Sequence, residues 1–190
     1  MLRYGTDMTQ TSDAEVLQQL ALHLLGTFTQ LQESMADLAR LHLNHVSPAV
    51  GMLLRPRLNR LTDKDRIAWL RAVTKDSQPS DVPLDRIETA IEQAKSVRDF
   101  IAHSPSVVPV FQEDSWQLAV AHYSEKAQVA NCVGVIDAAS LRKHIARSAW
   151  VSEWINWIMS DRGYVSYRTA GSPEPISYPR PPALPPTALA

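Results

Sequence analysis

Arg98 and His103 stand five residues apart in the run Arg98-Asp99-Phe100-Ile101-Ala102-His103-Ser104, and their types suit phosphate chemistry. Histidine titrates near neutrality, so His103 could take up or release a proton. Arginine carries a planar fork of donors that can hold a phosphate and stabilise charge developing on it. Asp99 precedes His103 by four residues and shares its side of a helix, where its carboxylate could orient the imidazole or pair with Arg98. On helical geometry His103 is rotated roughly 140° from Arg98 and lies about 7.5 Å further along the axis. A long arginine could still converge with it on one phosphate-sized ligand. A buried arginine ion pair beside an ordinary helix-end histidine would present the same residues, because the helix dipole alone favours a histidine there.

The spacing recurs at Arg40-Leu41-His42-Leu43-Asn44-His45, where a leucine follows the arginine. His42 and His45, three residues apart, could offer two nitrogens to a metal, but no Asp, Glu or Cys lies within a turn to complete a site. They are expected instead to line a cleft or dimer surface, and could meet the ligand of His103 if the fold brings that helix end close. Arg55, Arg57 and Arg60 could contact RNA phosphates or simply be solvated. Trp150, Trp154 and Trp157 fall at i, i+4 and i+7, a stripe expected to pack in the core or across a dimer. Lys143, His144 and Arg147 read as a solvated face. The six glycines form no phosphate-cradling loop, and neither G-x-S-x-G nor H-E-x-x-H occurs. No cofactor and no metal are expected.

The elements that must position these residues follow from periodicity. Ala21, Leu24, Phe28, Leu31, Met35 and Leu38 recur at alternating steps of three and four, predicting a helix from Asp13, as its cap, to about Val46. Ser47-Pro48 ends it. Residues 48–61 predict a short helical segment and a loop, interrupted by Pro56. A second clear helix runs from Asp63 to about Lys75, with Thr62 as cap and Asp65 completing a shortened capping box. Pro83 to His103 forms the third long helix, burying Leu84, Ile87, Ile91, Ala94 and Ile101 on a face from whose middle Arg98 projects. An arginine there needs a partner anion. Valine- and aromatic-rich runs within 116–136 predict a β-hairpin. Asp137 caps a last helix to about Ser160, and Gly163 lies just past its end.

Composition bounds the function. The chain has 190 residues, 45% hydrophobic and 21% charged, with a net charge of -1. That suits one domain with a sizeable core and argues against a tight, non-specific DNA binder. Cys132 is the one cysteine, so an intramolecular disulfide is excluded and a reducing, cytoplasmic setting is expected. Residues 1–12 show no apolar signal segment and are expected to be disordered, and no stretch reaches transmembrane length. Seven of the thirteen prolines fall in the last twenty residues, predicting that 163–190 is a disordered or polyproline II tail.

The Arg98–His103 run resembles the R-x4-6-H motif of the HEPN superfamily, in which the residue after the arginine is typically polar and the histidine lies at or near a helix end. Ser104 fits the usual "RDxIAHS" appearance, and the helical layout over roughly 13–160 is loosely similar. The resemblance implies a mainly α, HEPN-like helical bundle over 13–162, with one β-hairpin inserted before the last long helix. It further implies a homodimer whose two motifs flank a cleft. Many HEPN domains are metal-independent endoribonucleases; others are non-catalytic dimerisation, RNA-binding or protein-binding modules. Carried onto this chain, the resemblance implies Arg98, Asp99 and His103 as catalytic residues. RNA would be the substrate, with toxin–antitoxin or phage-defence biology as the setting and an antitoxin or other protein as a further partner.

Overall fold

In the computed structural model of this protein, Ser12 starts the first helix. Its hydroxyl accepts from the Glu15 N–H at 3.3 Å, while the Glu15 carboxylate accepts from the Ser12 N–H at 2.8 Å. This reciprocal capping box satisfies two free N–H groups, which is why the cap falls one residue before Asp13. The structure describes residues 12–58, 60–75, 82–104, 106–124, 129–166 and 178–183. Expectations for 1–11 and for most of the chain beyond 166 lie outside the described residues. Four helices come first: α1 (Asp13–Val46), α2 (Pro48–Leu58), α3 (Asp63–Lys75) and α4 (Leu84–Ala102). Strands β1 (Ser106–Gln112), β2 (Ser115–Ser124) and β3 (Val129–Asp137) follow, and then helix α5 (Ala138–Asp161).

Helix α1 is the spine. At 1.5 Å per residue its 34 residues extend about 50 Å, and its apolar stripe serves two cores in succession. Leu17, Ala21 and Leu24 pack with Ile101, Leu118, Val120, Ile136 and Leu141. Further along, Phe28, Leu31, Met35 and Leu38 pack with Leu70 and Val73 of α3, Ile87 and Ile91 of α4, and Trp154 and Ile155 of α5. The order of these contacts shows that α5 runs parallel to α1 and α4 antiparallel to it. The C-terminal end of α4 therefore lies beside the first half of α1 and the sheet.

The sheet has three antiparallel strands in the order β1-β2-β3, one more than the expected hairpin. Strands β2 and β3 form that hairpin, and Ser106–Gln112 adds an edge strand paired Val108↔Ala119 and Phe111↔Trp116. The β1–β2 connection is a two-residue turn, Glu113-Asp114, with φ of 51° and 58°. That left-handed geometry suits a hairpin but is normally announced by Asn or Gly. Pro109 is tolerated because β1 is an edge. Helix α2 also differs from expectation, continuing through Pro56 to Leu58. Leu58 holds its last turn by packing with Ala39 and Leu43.

Asp137 caps α5, accepting from the Ser140 N–H at 2.6 Å. Gly163 stops the helix at φ 66°, with the Tyr164 N–H donating back to the Met159 carbonyl at 2.9 Å. The reversal returns Tyr164 to α1, where its hydroxyl shares a 2.6 Å hydrogen bond with His42 Nδ1. Within the expected tail, residues 178–183 lie against α5. Among the described residues, no helix is long and apolar enough to cross a membrane.

Candidate functional site

Arg98 leaves the apolar face of α4 toward α1, and its guanidinium lies 4.6 Å from the centre of the Phe28 ring. Its side chain is 18% exposed and donates to two carboxylates, Asp99 at 2.8 Å and Asp63 at 3.3 Å. Asp63 is the first residue of α3 and is 12% exposed. It also receives Arg66 at 2.9 Å and the Gln32 amide at 2.5 Å. The anion that an arginine in an apolar stripe requires is therefore supplied by the protein itself, and the cluster ties α1, α3 and α4 together. Asp99 additionally accepts from the Lys95 ammonium. Three cations, Arg66, Arg98 and Lys95, thus meet two carboxylates, leaving a local excess of positive charge.

His103 forms the C-cap of α4, its N–H donating to the Asp99 carbonyl at 3.0 Å. Its imidazole is 70% exposed, and Nε2 lies 3.9 Å from Asp99 Oδ1, the same oxygen that accepts from Arg98. Asp99 is therefore the link between the two residues. Beside them an open groove of about 440 Å³ is lined by Ser96, Val97, Asp99, Phe100 and His103 with Ile136 of β3. Arg98 stands behind Asp99 and does not line it. The groove wall depends on Gly134 of β3, where a Cβ would come within 3.0 Å of Phe100 Cζ. Chemically the arrangement offers a solvent-facing imidazole beside a fixed carboxylate, above an apolar wall.

The other candidate residues gather at the opposite end of α1. His42 contacts Tyr164 and, edge-on at 6.3 Å, Trp69, while His45 is tilted against Tyr164 at 5.3 Å. Leu24 packs in the same core cluster as Ile101, and His42 lies 18 residues further on, about 27 Å along the helix. His42 and His45 therefore do not share a ligand with His103. Arg55, Arg57 and Arg60 are exposed at that same distant end, on α2 and the turn after it, and make no ion pair among the described residues. In the second R-x4-H run, Arg40 pairs with Asp37 at 2.9 Å while His45 meets Tyr164, so its two members have different partners.

Arg147 corrects the expectation of a solvated face. It is 4% exposed, and its Nη1 lies 3.2 Å from His144 Nδ1. Burial, with Arg147 and then Lys143 adding repulsion, pushes His144 down from 6.5 to about 4. Sequence reasoning missed Asp63 and Lys95 as members of the Arg98 cluster. Asp63 looks like any first-turn acid favoured by the helix dipole, whereas Lys95 could have been found as the i, i+4 partner of Asp99. Among the described residues, no three His, Cys, Asp or Glu side chains gather closely enough to hold a metal ion. Comparison with known proteins yields no matching family model, no similar curated protein and no similar solved structure.

Proposed function

We propose that this chain is a HEPN-like, metal-independent endoribonuclease in which His103 moves the proton of the reaction. The observation that carries this reading is that Asp99 Oδ1 meets both the Arg98 guanidinium and the exposed His103 imidazole, at an open groove with excess positive charge nearby. In the proposed step the neutral imidazole takes the proton of the RNA 2′-OH as that oxygen attacks the adjacent phosphorus. The bond from phosphorus to the 5′-oxygen breaks, and the imidazolium can return the proton to that oxygen. The products are a 2′,3′-cyclic phosphate and a 5′-OH. Asp99, 3.9 Å from the ring nitrogen, stabilises the imidazolium once it forms. Arg98 holds Asp99 and contributes positive field, which makes it a positioning residue here. RNA as substrate, a homodimer, a cytoplasmic location and an antitoxin or phage-defence partner belong to the same proposal and rest on the family resemblance.

The test is cleavage of single-stranded RNA in EDTA by wild type and His103→Ala. General acid–base catalysis contributes about 10²–10⁴-fold, so His103→Ala should lose at least about a hundredfold. Equal cleavage by the two proteins would remove His103 from the mechanism. A second reading, a non-catalytic HEPN-like dimerisation or RNA- or protein-binding module, is favoured by the engagement of Arg98 with Asp63 and Asp99. It predicts no cleavage at any metal condition, with Arg98→Ala acting on stability alone.

A further inference from the structure

Residues 178–183, Tyr-Pro-Arg-Pro-Pro-Ala, lie along α5 over its tryptophans. The Tyr178 N–H donates to Ser160 Oγ at 3.1 Å. The Arg180 guanidinium lies 5.7 Å from the ring centres of both Trp154 and Trp157. Pro181 is buried, and Trp150 Nε1–H donates to the Pro182 carbonyl at 2.8 Å. The contacts therefore run antiparallel to α5, from Ser160 back to Trp150.

The lengths agree. Ten residues of α-helix rise about 15 Å, and four residues of polyproline II rise about 12 Å. The segment is stiff before it docks, because prolines fix φ and each residue preceding one is held extended. Tyr178, Arg180 and Pro181 all precede a proline. The surface beneath is an edge-to-face ladder, with Trp150–Trp154 at 6.1 Å and 75° and Trp154–Trp157 at 5.4 Å and 81°. An aromatic ladder, an indole N–H reaching a backbone carbonyl and a cation beside the rings are the elements by which aromatic grooves read polyproline segments. Simple coverage of apolar surface would need neither the cation nor the hydrogen bond. Trp154 Nε1 is also buried with no acceptor among the described residues, a second indole donor that an occupant's carbonyl could use.

We propose that the Trp150/Trp154/Trp157 face of α5 is a recognition groove for arginine-bearing polyproline segments, filled at rest by the chain's own residues 178–183. The partner is a protein segment of the pattern Pro-Arg-Pro-Pro. Eleven residues separate Ser166 from Tyr178, so docking of 178–183 is intramolecular and is favoured over a free segment of equal intrinsic affinity. A weak intrinsic contact then suffices to close the groove, and a partner segment must displace it. This inference is independent of the ribonuclease reading.

The experiment vacates the groove in the full chain with Arg180→Ala/Pro181→Ser and titrates a fluorescent peptide of residues 176–185. Tryptophan emission of the variant should shift to longer wavelength with the helical circular dichroism unchanged. The peptide should bind the variant at least tenfold more tightly than it binds wild type. A peptide with alanine at the arginine position should bind at least fivefold more weakly. Arg180→Ala alone, which keeps every proline, should give the same ranking with smaller differences and serves if the double variant loses helicity. Equal peptide binding by wild type and variant, no binding to either variant, or indifference to the peptide's arginine would each overturn the proposal.

Discussion

Arg98 meets two carboxylates and an aromatic ring, and each contact carries a different consequence when the side chain is removed. Losing the sole partner of a buried charge costs about 3–5 kcal/mol. Asp63 keeps Arg66 and Gln32, and Asp99 keeps Lys95, so Arg98→Ala should cost less, about 2–3 kcal/mol, in urea unfolding followed by circular dichroism. Arg98→Lys should recover part of that loss, since an ammonium keeps the charge but cannot reach both carboxylates as a fork. His144 couples stability to acid pH. Its folded value near 4 lies below its ordinary 6.5, so between these pH values the unfolded chain binds a proton that the folded chain refuses. Its contribution is complete above about pH 6.5 and is lost as pH falls toward 4. Melting temperature should drop by at least about 2 °C from pH 7 to pH 4.5. His144→Gln should flatten that slope, and an unchanged slope would assign the pH dependence elsewhere.

Elements were legible where their ends carry their own chemistry. Helix α3 begins as expected, with Thr62 N–H donating to Asp65 at 3.1 Å and Asp65 N–H to Thr62 Oγ1 at 3.2 Å. The Thr62 contacts hold the Asp65 carboxyl below the usual carboxylate range. The α5 cap at Asp137 and its stop at Gly163 were equally local. Strand β1 was not legible, because its turn uses Glu113-Asp114 in a backbone geometry those residues seldom announce. The approach of α2 to α1 was also hidden. A Cβ on Gly51 would lie 2.0 Å from Asn44 Oδ1 and 3.2 Å from its backbone Cα. The amide can swing aside, but the backbone can yield only if α2 moves. Gly51→Ala should therefore destabilise by about 1–3 kcal/mol despite alanine's better helix propensity. Stability equal to or above wild type in chemical unfolding would show that the two helices separate freely.

At the scale of the whole molecule, α1 separates two chemically different ends. His103, Asp99 and Arg98 gather where α4 finishes beside the sheet, while His42, His45, Arg55, Arg57 and Arg60 lie at the far end. The local identity of each group was readable from spacing and residue type, but their distance from one another was not. It depends on the antiparallel run of α4 along α1, which follows from which buried side chains meet.

The amino-acid order by itself determined the long helices, the caps of α3 and α5, the β2–β3 hairpin, and the placement of Arg98 in an apolar stripe with His103 at a helix end. Those features rest on interactions spanning three or four residues, or on the twofold alternation of a strand. Only the tertiary structure decided that the Arg98 anion is Asp63, thirty-five residues away, and that Asp99 joins Arg98 to His103. Packing likewise buries Arg147 and lays 178–183 over the tryptophans of α5. Each of these depends on which faces pair across the core, and the energy that selects the pairing is apolar burial, which carries no local signature of its partner. The helix end at His103 is thus a candidate site by its residue types, and the tertiary fold sets its charge balance and the groove beside it.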